Sequence, residues 1–240
     1  IITFPFTPHS YTVLSFSVSF LSGIVWAIGC LYQMKAFKRV GVSRTIPITT
    51  GMQLVGTSLM GVLFFGEWGT KKALTTGIIA LVLLIIGISF TAYTEKKDNS
   101  GKLLGGVFII FISSVAIIAY VMLIRFFNIN SFDVVLPQSL GMVVGAFLIT
   151  NKEPNRISLK TCQLMIPGLL WALGNLVMFY SNNVFGVAVG FSLSQLGVVI
   201  STIGGMALLG EEKTKRERIM ILFGLVFVFA GVICLGFTKA

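Results

Sequence analysis

The sequence has little charge: Asp, Glu, Lys and Arg make up 11% of its 240 residues, against about 25% in an ordinary soluble domain. Acids are scarcest, with 8 Asp and Glu against 18 Lys and Arg. That composition argues against a globular protein with a water-facing surface. It also argues against disorder, because 55% of the residues are hydrophobic and disordered chains are poor in them. The single histidine, His9, lies near the start of the chain, which leaves no Ser-His-Asp set for a buried catalytic site. Neither a phosphate loop nor ligand-spaced Cys and His clusters occur. An enzyme is therefore not expected, nor is a metal or any other cofactor. The three cysteines, Cys30, Cys162 and Cys234, are odd in number and each sits in an apolar run. They read as small buried hydrophobes, not as a disulfide framework.

Long apolar runs are what the sequence does have, and its mean hydropathy is +0.95. A membrane-crossing helix needs about 20 apolar residues, and Lys, Arg or Asp at the bilayer centre costs about 2.5–3.5 kcal/mol. Uncharged stretches cover residues 1–34, 45–66, 73–94, 103–124, 134–151, 161–210 and 219–238. The stretch 161–210 is long enough for two spans, with a turn expected at Ser181-Asn182-Asn183. The expectation is an all-α polytopic membrane protein with eight spans. They fall at 12–33, 46–65, 73–93, 103–124, 133–150, 162–180, 187–209 and 219–238. Continuous rather than alternating apolarity favours helices over barrel strands.

The net charge of +10 would suggest a nucleic-acid partner in a soluble protein. Here its placement sets topology instead. Fourteen of the Lys and Arg residues flank one side of the expected spans, among them Lys35, Lys38, Arg39, Arg44, Lys213 and Arg216. Four, Lys71, Lys72, Arg125 and Lys239, flank the other. The richer side belongs in the cytoplasm.

An internal repeat underlies the pattern. Residues 23–29 read Gly-Ile-Val-Trp-Ala-Ile-Gly, and residues 168–174 read Gly-Leu-Leu-Trp-Ala-Leu-Gly, an offset of 145. At that offset Gly41-Val42 falls on Gly186-Val187; after a short gap Gln53-Leu54 answers Gln195-Leu196, and Gly66-Glu67 answers Gly210-Glu211. Five expected spans separate equivalent points, an odd number, so equivalent helices run in opposite directions. Inverted repeats of this kind are a secondary-transporter architecture. Spans one to three match six to eight. The two unmatched spans predict two more ahead of residue 1, for ten in a five-plus-five arrangement. Residues 1–100 would hold the last three helices of the first repeat and 101–240 the second.

The run from Gly41 to Thr57, Gly-Val-Ser-Arg-Thr-Ile-Pro-Ile-Thr-Thr-Gly-Met-Gln-Leu-Val-Gly-Thr, resembles the bacterial glucose/ribose uptake family of the drug/metabolite transporter superfamily. So do Phe65-Gly66-Glu67-Trp68, Gln138-Ser139-Leu140-Gly141-Met142, residues 167–176 and residues 190–196. The resemblance implies ten spans in a bacterial cytoplasmic membrane and uptake of a neutral sugar, glucose or ribose, coupled to protons.

A neutral sugar needs uncharged hydrogen-bond partners and an aromatic surface, and polar groups inside a membrane should meet one another or face a cavity. Trp171 and Asn175 are four apart and share a helix face, as do Ser192 and Gln195, three apart. The candidate substrate residues are Trp171, Asn175, Gln195, Ser192, Gln53, Gln138 and Trp26. Gln33, Thr49, Thr50, Ser194 and Tyr180 are further polar or aromatic positions, and for the serines and threonines helix packing is the plainer reading. Asp133, followed by 18 uncharged residues, and Glu67 are the candidates for proton coupling. Gly141/Gly145 and Gly186/Gly190 suit close helix contact within the chain or between copies. Two rival readings stay open: an exporter of drugs or metabolites on the same fold, and a non-transporting membrane scaffold or sensor.

Overall fold

A computed structural model describes residues 12–40, 42–91, 93, 100–151, 165–194 and 214–238. The described residues form eight helices and no strand. They are α1 (Val13–Val40), α2 (Val42–Phe65), α3 (Lys71–Thr91), α4 (Ser100–Phe126), α5 (Ser131–Ile149), α6 (Met165–Phe185), α7 (Val187–Ser194) and α8 (Lys215–Gly236). Six of them, α1 to α5 and α8, are long and apolar enough to cross a membrane. Helix α6 is as long as α3 but carries Asn175, Asn182 and Asn183.

The outer surface is a lipid surface. Leu63 is 72% exposed, Leu148 70%, Leu170 67% and Val226 67%, and no arrangement that left so many large apolar side chains in water would be stable. Small polar residues lie inside instead. The hydroxyls of Thr49 and Thr57 donate to the Thr45 and Gln53 carbonyls of their own helix at 2.7 Å each, which satisfies them without a ligand. The molecule is a multi-pass helical membrane protein.

Helices α2, α4 and α8 begin three or four residues earlier than the expected spans, and two boundaries differ by more. Helix α1 continues through Lys35, Lys38 and Arg39, which the span at 12–33 left in a loop. Their cationic heads lie at the carboxyl end, where the helix dipole favours them. The turn expected at Ser181-Asn182-Asn183 is helical, and α6 runs on to Phe185. It ends at Gly186, whose φ of +84° is the left-handed conformation that glycine adopts without strain. Asn183 does not break the helix because its side chain serves a tertiary contact: its Nδ2 donates to Ser131 Oγ at 2.9 Å.

Helix α1 packs on α4 and α5, α3 packs on α8, and α2 packs on both α4 and α7. The α1–α5 crossing is close because glycines line it. A Cβ on Gly141 would strike the Phe20 carbonyl oxygen, and one on Gly23 would strike the Gln138 carbonyl oxygen. Gly145 faces Ala27 in the same seam. Small residues let membrane helices approach in this way.

Candidate functional site

Near the middle of the bundle lies a cavity of about 710 Å³, lined from α1, α2, α4, α6 and α7. Its size falls within the range of small-molecule sites. Four of the expected substrate residues, Trp26, Gln53, Trp171 and Asn175, line it, and Gln33 and Ser194 do so as well. No Asp, Glu, Lys, Arg or His is among its described lining residues.

Two tryptophans form one wall. The rings of Trp26 on α1 and Trp171 on α6 lie 4.6 Å apart, centroid to centroid, at 42°. Offset aromatic pairs at that distance attract each other. These two residues are 145 positions apart, the offset at which residues 23–29 and 168–174 match.

Asn175 stands one helical turn beyond Trp171, as the spacing required. Its Nδ2 donates to Gln138 Oε1 at 2.8 Å, and Tyr120 Oη donates to its Oδ1 at 3.2 Å. Gln138 Nε2 in turn donates to Ser22 Oγ at 2.9 Å, and Ser22 donates to the Ser19 carbonyl at 2.7 Å. This line of hydrogen bonds ties α4, α6, α5 and α1 together. Gln138, 2% exposed, thus lies behind the cavity and supports Asn175. Gln53 is different. It is 6% exposed and lines the cavity, and its side-chain amide takes no hydrogen bond among the described residues. Such an amide is costly to leave unpaired and is available to a ligand.

Tyr120 was not singled out from the sequence, because it sits in the strongly apolar α4. A signal was present: Ser113, Ile117 and Tyr120 recur at helical spacing, and Ser113 Oγ reaches the Gly29 carbonyl of α1 at 2.8 Å. Cys30 and Ser181 also line the cavity without having been expected there.

The two acids lie outside this lining. Asp133 is 7% exposed and occupies the first turn of α5, where the helix dipole favours negative charge. Four residues on, Pro137 lacks the N–H that would bond the Asp133 carbonyl. Glu67 lies beyond the end of α2, and its Oε1 accepts from Val187 N–H at 2.6 Å. The residue preceding α7 is Gly186, which has no side chain to cap a helix. Glu67 supplies the missing acceptor from another part of the chain. It fits because position 186 is glycine: a Cβ there would lie 2.6 Å from the Glu67 carboxylate. The loop that aims Glu67 has left-handed backbone on both sides of it, at Gly66 (φ +62°) and Trp68 (φ +63°).

Of the remaining expected residues, Gln195 lies outside the described residues. Ser192 lies in α7, but its side chain is outside them too. Helix α2, which carries Gln53, is continuous through Pro47 and Gly51.

Residues 1–238 match the family model described as sugar transport protein. A Listeria monocytogenes (serovar 1/2a) protein named for sugar uptake is 49% identical over 240 residues, covering 99% of this chain and 84% of that protein. The glucose uptake protein GlcU of Bacillus subtilis (strain 168) is 42% identical over 230 residues, covering 93% of this chain and 79% of that protein. A Priestia megaterium protein named for glucose uptake is 41% identical over 242 residues, covering 98% and 84%. With the family model matched along nearly its whole length, the chain belongs to the sugar transport family.

Proposed function

We propose that this protein is a secondary-active sugar permease of the bacterial cytoplasmic membrane, a transporter and not an enzyme. It takes up glucose or ribose by proton symport through alternating access. The observation that carries the reading is a cavity with a tryptophan wall, amide side chains and no charged group among its described lining residues. Sugars offer hydroxyls to the amides and apolar ring faces to the indoles. The same observation disfavours the exporter reading, since an organic cation calls for a carboxylate at the site. Trp26, Trp171, Asn175 and Gln53 are the proposed contacts, with Gln138 behind them, and Ser192 and Gln195 complete the set from the sequence.

The inverted repeat supports alternating access. In the sequence, spans one to three correspond to six to eight; in the structure, α2 packs on α7 and α3 on α8, and Trp26 meets Trp171. Counterparts meet in this way about a pseudo-two-fold axis. The eight spans then belong to a ten-helix, five-plus-five arrangement, with residues 1–100 in the first repeat and 101–240 in the second. Of the two acids proposed for coupling, Asp133 is the better carrier, because Glu67 is engaged by the amino end of α7. A proton moved across 100 mV is worth about 2.3 kcal/mol, enough to sustain accumulation.

Uptake of labelled glucose and ribose by cells lacking their own sugar transporters tests this reading. Uptake of one sugar should be abolished by a protonophore, by Trp171→Ala and by Gln195→Ala. Gly174→Phe should abolish it with folding retained, because Gly174 lines the cavity and a Cβ there would meet nothing within 4 Å. No uptake of either sugar by protein present in the membrane would reject the reading.

A further inference from the structure

The hydrogen bonds around Asn175 have a direction, and one end fixes it. Ser22 Oγ lies 2.7 Å from the Ser19 carbonyl oxygen. Two oxygens that close need a proton between them, and a carbonyl has none to give. Ser22 therefore donates to Ser19 and turns a lone pair toward Gln138. The Gln138 atom 2.9 Å from it must be the donor, Nε2, which leaves Oε1 facing Asn175. Asn175 meets that oxygen with Nδ2 at 2.8 Å and so presents Oδ1 to Tyr120. The Tyr120 hydroxyl must then donate, across 3.2 Å. Each step follows because an amide has one donor end and one acceptor end. No acid, base or histidine takes part, so no protonation event reverses the order.

We infer that Tyr120 is a specificity-determining residue that reads one substrate hydroxyl as a hydrogen-bond donor. Its proton is committed to Asn175, so its oxygen offers the cavity acceptance only. The second hydrogen on Asn175 Nδ2 has no partner among the described residues and gives the cavity a donor beside it. Ser22 and Gln138 are positioning residues that hold this polarity from behind. The ligand class is a polyol with a donating hydroxyl at one ring position. An analogue with an acceptor but no proton at that position is rejected. This rests on the cavity being the sugar site, and it adds what the site demands of the sugar.

The test is inhibition of labelled-sugar uptake by deoxy and deoxyfluoro analogues, compared position by position around the ring. At one position both analogues should inhibit about tenfold more weakly than the parent sugar, the loss of one unreplaced hydrogen bond. Fluorine does not rescue the deoxy analogue because it cannot donate. Tyr120→Phe should erase the difference at that position and leave the other positions unchanged. Ser22→Ala should raise KM severalfold with the maximal rate held, and Ser22→Thr, which keeps the hydroxyl, should restore it. Deoxyfluoro analogues that inhibit as well as the parent at every position would overturn the inference and leave the uptake reading standing. So would a pattern unchanged in Tyr120→Phe. Absence of any sugar uptake by the folded protein would overturn the uptake reading and this inference with it.

Discussion

Helices α3 and α8 hold together by shape, whereas α1, α4, α5 and α6 are also joined by directed polar bonds. In the first pair Ala80 and Leu84 meet Gly231, Gly87 meets the backbone of Gly224 and Val228, and the rings of Phe90 and Phe227 lie 5.8 Å apart. In the second group the Ser22–Gln138–Asn175–Tyr120 line crosses four helices. Lipid tails are as apolar as leucine, so apolar contact alone gives membrane helices little reason to prefer one another. Close packing through glycine gives them proximity, and hydrogen bonds give them a fixed register. Three of these four helices, α1, α4 and α6, also line the cavity, together with α2 and α7. A site that must present particular atoms to a ligand needs its side chains held in one orientation.

Gly141→Val should have the largest effect. The added side chain would enter the Phe20 backbone, which cannot move aside as a flexible side chain can, and it would part α1 from α5. With them would go the Ser22–Gln138 bond. Loss of folded protein is expected, read as the disappearance of a monodisperse peak in detergent. Gly87→Val should do less. A Cβ there would lie 2.7 Å from the Gly224 carbonyl oxygen and from a Val228 methyl, and overpacking of this kind costs about 1–3 kcal/mol. A lower melting temperature is expected, with KM for the sugar unchanged. A KM that rose in Gly87→Val would break the comparison, because it would make the α3–α8 pair part of the site.

Most of the fold was legible because charge is so costly in a bilayer that its absence marks the spans. Trp171 and Asn175 were legible as a pair because helical spacing fixes a shared face without tertiary knowledge. The pairing of Asn175 with Gln138 was not, since 37 residues and a helix crossing separate them. Tyr120 was hidden by the apolarity of its neighbours. The turn at 181–183 was misplaced because asparagine serves turns and interhelical contacts equally well, and the sequence does not show which partner Asn183 will find. Gly186, with its φ of +84°, carried the true stop.

Glu67 tests the comparison at its finest, since it is a charged group used as a structural tie. Glu67→Gln keeps a side-chain oxygen within reach of Val187 N–H and removes the charge facing the helix dipole, worth about 0.3–1 kcal/mol. Glu67→Ala removes the acceptor as well, and a lost cap costs about 0.5–2 kcal/mol. The expected order of melting temperature is therefore wild type, Gln, then Ala, with small steps. If the group is a cap, uptake in Glu67→Gln stays sensitive to a protonophore, because the proton travels elsewhere. If instead Glu67 carries the proton, the same variant would lose accumulation while still equilibrating sugar across the membrane, at almost unchanged stability. The two roles thus separate on one substitution: a cap answers in the melting temperature, and a carrier answers in the gradient.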